Sequence, residues 1–254
     1  MNLGWEGFLL VIGRTSGLFI ISPVFSGRQI PIQVKILLVM FLSGVIAFIN
    51  PIRTAVPITH SGTFLMALGL EILIGYTIGF VAYVIFAGIQ LAGQLMDMQM
   101  GFGIVNVIDP QSGTQVPLIG NFQYLVAIMV FLGVNGHHHL LRALNDSYQL
   151  VPVLGTVFNG QLFEFMMQMG AYMFVIALKL AAPVVAALFM ADLALGFIAR
   201  TVPQMNVFVV GLPLKIGAGL VMVMLTLPVF IWFIQILMEK FFSYLDSLII
   251  LLGK

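Results

Sequence analysis

Five charged residues stand inside or beside long apolar runs: Glu71, Lys179, Asp192, Arg200 and Lys215. A charge at the centre of a membrane helix costs at least ~2.5 kcal/mol, so each must face another helix, water or an opposite charge. Two chemistries suit such groups: a proton or ion site, and a polar contact that locks one helix against another. Glu71, Gly75, Gly79 and Tyr83 are spaced four apart and share one helix face. Gly75 and Gly79 form a small-residue pair that lets backbones approach closely. This pattern predicts a helix interface in which donors on a neighbour hold the Glu71 carboxylate, with a proton or ion site as the other reading. Gly13 and Gly17 flank Arg14 in the same manner. Asp192 and Arg200 lie eight apart on about one face, with Gly196 midway. They predict a polar cluster between helices, and a solute-coupling site would look similar.

Other chemistry finds little support. His137-His138-His139 cannot converge on one ion, because successive helical residues point about 100° apart. No HExxH follows, so the triplet reads as the start of an interfacial helix. There is no GxSxG, no Walker A lysine loop and no GxGxxG, and no enzyme activity, metal or cofactor is expected. The chain has no Cys, which excludes disulfides and thiolate metal sites.

The elements that must carry these residues follow from composition. Hydrophobic residues make up 61% of the 254 positions and charged residues 7%, with a mean hydropathy of +1.14. A soluble domain carries about a quarter charged residues. The composition excludes a cytosolic enzyme, a disordered chain and a basic nucleic-acid binder. Ten Lys plus Arg against nine Asp plus Glu give a net charge of +1 and no steering field. The fold class is an all-α membrane protein. No basic residue precedes Glu6 and Arg14 interrupts the first apolar run, so the first helix reads as part of the mature protein rather than a signal.

Apolar runs predict helices over about 4–21, 33–49, 61–96, 118–134, 137–149, 161–200 and 207–240, with residues 241–252 as an interfacial or peripheral helix. The run from Ser61 exceeds one span, since a helix rises about 1.5 Å per residue and the hydrocarbon core is about 30 Å thick. It must break near Gly88 or Gly93, or project out of the bilayer against other protein. Residues 97–117 then read as a long loop mixing Gly, Pro, Asp, Asn and Gln with apolar residues. Loops of such length are functional or disordered. Met96, Met98 and Met100 precede it, and Met adapts to irregular contacts. Gly101 and Gly103 permit hinge conformations. Two readings stand: a surface loop beside ordinary core filling, or a deformable apolar constriction that closes a pore. Asp97-x-x-x-Gly101-Phe102 is faintly echoed by Asp192-x-x-x-Gly196-Phe197.

Several stretches together resemble the FliR family of flagellar export-gate proteins and its virulence type III secretion counterparts. They are DMQMGFGIVNVIDP from Asp97, NGHHHLLRALNDSYQLVP from Asn135, and ADLALGFIARTVPQMNVFVVGLPLK from Ala191 to Lys215. Arg14-Thr15-Ser16-Gly17 and the Glu71–Gly75 helix are similar too. The agreement in order and spacing covers essentially the whole chain.

The resemblance implies long kinked helical hairpins packed into a hetero-oligomeric export gate with an irregular plug loop. It implies a single-copy subunit built with several FliP and FliQ chains, FlhB at the cytoplasmic mouth and FlhA nearby. Unfolded flagellar proteins would pass, at the inner membrane in the flagellar basal body, with no part for nucleic acid. Residues 1–160 would be a FliP-like part with a plug loop at about 102–117, and 161–254 a FliQ-like hairpin and tail. The plug would comprise Phe102, Gly103, Ile104, Val105, Asn106, Val107, Ile108, Asp109 and Pro110. Helix or subunit interfaces would fall on Arg14, Gly17, Glu71, Gly75, Gly79, Asp192, Gly196, Arg200, Pro203, Gln204, Asn206 and Lys215. The rival expectation is a secondary transporter of a small solute that uses Glu71, Lys179, Asp192 and Arg200.

Overall fold

The computed structural model describes residues 4–27, 30–50, 60–103, 117–155, 159–202 and 206–253. Among them are eight helices and no strand: α1 (Gly4–Ile21), α2 (Pro23–Ser26), α3 (Ile32–Ile49), α4 (Ser61–Met100), α5 (Leu118–Gly133), α6 (Gly136–Leu150), α7 (Gly160–Thr201) and α8 (Val207–Leu252). Four of them, α3, α4, α7 and α8, are long and apolar enough to cross a membrane. The bent pair α5 and α6 would make a fifth span, turned by 66° at its break. Asn135 makes that turn in the left-handed region at φ 57°, which its short polar side chain tolerates.

Of the two readings of the long α4, a break near Gly88 or Gly93 does not occur. Its 40 residues run uninterrupted for about 60 Å. Gly88 and Gly93 are contact points rather than hinges. A Cβ on Gly88 would meet the Met173 carbonyl oxygen of α7 at 2.9 Å, and one on Gly93 would fall on the Gly120 backbone of α5. The helix also extends one turn past Met96, so Asp97–Met100 is helical rather than loop.

The expected peripheral helix at 241–252 is likewise absent, because α8 continues through it for 46 residues in all. Phe241, Leu245, Leu248 and Leu252 make a buried stripe at helical spacing, which binds this end of α8 into the core. The Phe241 ring packs on Phe131 at 5.9 Å and Phe242 stacks on His139 at 3.9 Å. The short α2 was not expected. Pro23 opens it at the position where a missing N–H costs nothing.

The chain forms two compact units. One draws on Met1–Ile85, Phe131–Gly170 and Leu237–Lys254, the other on Phe86–Val130 and Ala171–Ile236. Each takes segments from both sides of residue 160. In the first unit α1 packs on α3 and crosses the early turns of α4. Burial separates the helices: 67% of the most apolar window of α4 is buried, against 17% in α3 and 22% in α8. α4 is the most buried of the span-length helices, while much of α3, α7 and α8 is exposed.

Candidate functional site

The buried charge centre of the first unit assembles on Arg14. A guanidinium carries five N–H donors in a fixed fork. Its Nε donates to Glu71 Oε2 at 2.6 Å and its Nη2 to Oε1 at 3.0 Å, a two-point pair with both side chains wholly buried. Nη1 donates to Ser147 Oγ at 2.9 Å, and Nη2 also reaches the Val151 carbonyl at 3.1 Å. The Tyr148 ring lies 4.1 Å from Cζ, and its hydroxyl donates to the Val11 carbonyl at 3.3 Å. α1, α4 and the end of α6 are thereby tied at one point.

Such a pair is costly to desolvate and holds only when nearly every donor and acceptor is engaged, as it is here. Close helix approach makes this possible. A Cβ on Gly75 would fall on the Arg14 carbonyl, and one on Gly17 on the Ile72 carbonyl. Gly79 faces Leu18 and Ile21. Ser147 and Tyr148 were invisible as partners in the sequence, since nothing local links position 147 to position 14.

The second unit holds the anchor of the predicted loop. α4 ends in a glycine stop. Gly101 takes φ +92°, its N–H donates to the Met98 carbonyl at 3.2 Å, and the Phe102 N–H donates to the Asp97 carbonyl at 3.1 Å. This paired pattern closes a helix with a left-handed residue, a conformation glycine adopts at no steric cost.

The Asp97 side chain does a second job. It accepts from Ile119 N–H at 3.1 Å and Gly120 N–H at 3.2 Å, in the first turn of α5. Pro117, which precedes that helix, has no side-chain acceptor, so Asp97 replaces the missing cap and sets its charge at the positive helix end. A single carboxylate thus joins the point where the chain leaves α4 to the point where it enters α5. The Gly93–Gly120 contact reinforces that joint.

α7 and α8 complete the anchor. Asp192 of α7 pairs with Lys215 of α8 at 2.8 Å and accepts from Gln99 Nε2 of α4 at 3.2 Å. A Cβ on Gly219 would meet Met100 Cγ at 2.6 Å, and one on Gly101 would meet Leu212 Cδ1 at 2.7 Å. Met96 and Met100 are buried while Met98 is 73% exposed. Asp97, Gln99, Gly93, Gly120 and Gly219 were not singled out as site residues. The bare Pro117 before an apolar helix was the one signal that a cap must come from elsewhere.

Other predicted site residues fall as follows. Phe102 and Gly103 are half-buried at the end of the anchor. Ile104, Val105, Asn106, Val107, Ile108, Asp109 and Pro110 lie outside the described residues, as do Pro203 and Gln204. Asn206 caps α8, with its Oδ1 accepting from Val209 N–H at 3.4 Å. Gly196 has open space where a Cβ would go, and Arg200 is exposed. Asp192 sits in a polar cluster with Lys215 and Gln99, whereas Arg200, about two turns farther along α7, is exposed outside it. The echo of Asp97–Gly101 in Asp192–Gly196 has no structural counterpart: Gly101 ends a helix, whereas Gly196 sits inside α7. Among the described residues no three His, Asp or Glu side chains converge on an ion site.

Residues 5–241 match the family model described as "Bacterial export proteins, family 1". The chain belongs to this family, that of FliR. It is 40% identical to the flagellar biosynthetic protein FliR of Bacillus subtilis (strain 168) over 252 residues, 98% of this chain and 96% of that protein. Identity to FliR of Escherichia coli (strain K12) is 30% over 236 residues, 93% and 90% of the two chains. The "Yop proteins translocation protein T" of Yersinia pestis is 28% identical over 216 residues, 82% of this chain and 80% of that one. In this family member the Asp97 anchor sets where the chain leaves α4 and where it enters α5.

The Asp97 anchor is testable by itself. Asp97→Ala leaves two buried N–H groups without an acceptor and is expected to cost about 1–3 kcal/mol. Asp97→Asn keeps one carbonyl acceptor and should lose roughly half as much. Unfolding of the purified variants in a denaturing-detergent titration reads the difference. Equal stability of Asp97→Ala and the parent would show that α5 does not depend on this cap.

Proposed function

We propose that this chain is a non-enzymatic subunit of the flagellar type III protein export gate. It assembles in single copy with several FliP and FliQ chains at the inner membrane in the basal body, with FlhB and FlhA alongside. Unfolded flagellar proteins cross through the channel these subunits enclose, and residues 102–117 plug it when no substrate passes. Family membership and the identities to FliR proteins support the export reading. The observation that carries the plug reading is the Asp97 joint. It gathers the departure and return points of the segment onto one rigid base.

A seal against ions that yields to an extended polypeptide needs apolar, deformable material on a fixed base. A segment of this length tied at both ends reaches at most roughly 25 Å from its base. That suffices to cross a pore wide enough for an extended chain, and its Ile and Val side chains favour a dewetted, ion-tight closure. Nothing in this requires a cofactor or a bound nucleotide; the driving energy enters elsewhere in the apparatus.

Deleting Ile104–Gly113 is expected to leave the chain accumulating and co-purifying with its partners, while the membrane becomes leaky to ions. Reconstituted complexes in planar bilayers measure this directly. Unchanged conductance would sink the plug assignment. The equivalent subunit of a virulence type III secretion system is the second reading, and the higher identity to FliR of Bacillus subtilis than to the Yersinia pestis protein favours the flagellar one. The transporter reading loses its site: Glu71 is engaged by Arg14, Asp192 by Lys215 and Gln99, and Lys179 and Arg200 are exposed.

A further inference from the structure

The last turn of α4 is seated on α7 and α8 by three consecutive residues. Gln99 meets Asp192 of α7, while Met100 lies on Gly219 and Gly101 on Leu212, both of α8. Lys215 stands between those two contacts. Leu212, Lys215 and Gly219 are three and four apart, so they share one face of α8. Lys215 Nζ donates to Asp192 Oδ1 at 2.8 Å and to Oδ2 at 3.0 Å, and Gln99 Nε2 donates to the same Oδ2 at 3.2 Å. One carboxylate thus gathers three helices at the point where Gly101 turns the chain out of α4.

The apolar and polar contacts of this seat act differently. Met against glycine is deformable and lets α4 slide or roll on α8. Hydrogen bonds to a carboxylate fix distance and direction. The ion pair is poorly placed to hold the fold together. The Lys215 and Asp192 side chains are 20% and 37% exposed, and pairs open to solvent add little to stability. The Asp97 joint beside it is buried. What the ion pair can fix is the rotation of the last turn of α4, and with it the direction in which Phe102 and Gly103 leave the helix.

We propose that Gln99, Asp192 and Lys215 are positioning residues for the closed channel. They hold the end of α4 in register on α7 and α8, and so aim the chain that leaves at Gly101. The inference rests on the plug reading given above and adds to it the side chains that set the closed position. The Asp97 joint fixes the exit relative to α5, and this cluster fixes it relative to α7 and α8.

The test uses the complex purified with its own partners and reconstituted in planar bilayers. Asp192→Asn and Lys215→Gln should accumulate and co-purify like the parent. The fraction of time they conduct should rise about two- to fivefold, the range for loss of a partly exposed ion pair. Raising KCl from about 0.1 M to 1 M shortens the Debye length from about 10 Å to about 3 Å, so the excess of each variant over the parent should shrink. The chain has no Cys, which permits a reversible replacement of the tie. Gln99→Cys combined with Asp192→Cys should conduct like Asp192→Asn. A short bifunctional thiosulfonate bridging the two thiols should restore closure, and reductant should undo it. Neither single cysteine variant should be restored by the reagent.

Four results overturn the proposal: conduction of Asp192→Asn equal to the parent, failure of that variant to accumulate, an excess conduction that high salt leaves unchanged, or no recovery of closure in the cross-linked double variant. The deletion of Ile104–Gly113 separates this from the reading beneath it. If the deletion leaks while any of these four holds, the plug reading stands and only the positioning role falls. If the deletion does not leak, the plug reading fails and takes the proposal with it.

Discussion

Arg14→Met is expected to abolish accumulation of the protein in membranes. The substitution leaves the Glu71 carboxylate wholly buried with its two nitrogen donors gone, and the Val151 carbonyl loses the guanidinium as well. Breaking a buried pair from one side costs about 3–5 kcal/mol, a large share of the stability of an ordinary domain. Glu71→Gln keeps the shape and one acceptor for the guanidinium but leaves the cation buried against a neutral group, and should be milder than Arg14→Met.

The informative variant is the double substitution Arg14→Met with Glu71→Met. Removing both charges removes the desolvation cost along with the attraction, so it should recover much of the loss. Yield in membranes and unfolding in a detergent titration measure all three. Normal accumulation of Arg14→Met would show that the ion pair is not the joint of this unit.

The second large effect belongs to the helix crossing beside that pair. Gly75→Leu is expected to prevent α1 from seating on α4, because even its Cβ would occupy the position of the Arg14 carbonyl. Overpacking a core commonly costs about 1–3 kcal/mol, and more where the obstacle is backbone that cannot rotate away. The series should be graded. Gly17→Ala and Gly75→Ala both meet backbone atoms and should be severe. Gly79→Ala meets chiefly the Ile21 side chain, which can shift, and should be milder. Gly69→Ala, on the same helix with open space around it, should be neutral or slightly stabilising through helix propensity. Thermal unfolding of the four purified variants gives the order. Equal loss at Gly69 and Gly75 would mean that helix propensity rather than contact dominates.

Much of the helical plan was legible along the chain. Helix boundaries at Ser61, Leu118 and Val207 and the stops near Ile21, Ile49 and Thr201 follow from apolar runs punctuated by Pro, Gly, Asn and Ser. The face shared by Glu71, Gly75 and Gly79 was visible too, because a spacing of four is a property of one helix. What stands on that face was not: Arg14, Ser147 and Val151 come from segments far apart in sequence, and no local pattern encodes their convergence. Gly88 and Gly93 illustrate the same limit. Glycine in a helix reads equally as a hinge or as a close contact, and only the presence of Met173 and Gly120 opposite them decides for contact.

For this protein the sequence by itself determined the class of environment and the family, since hydropathy and motif order are carried by residue identities alone. It also marked the segment after Asp97 as unusual, through its length and its glycines. The tertiary structure decided which charges meet. It gave Asp192 to Lys215 and Gln99, turned Asp97 from a loop residue into the cap of α5, and left Lys179 facing outward. The physical reason is that a helix fixes its own faces by local geometry, whereas ion pairs and caps are fixed by which helices approach within a few ångströms, and that is set by packing over the whole chain.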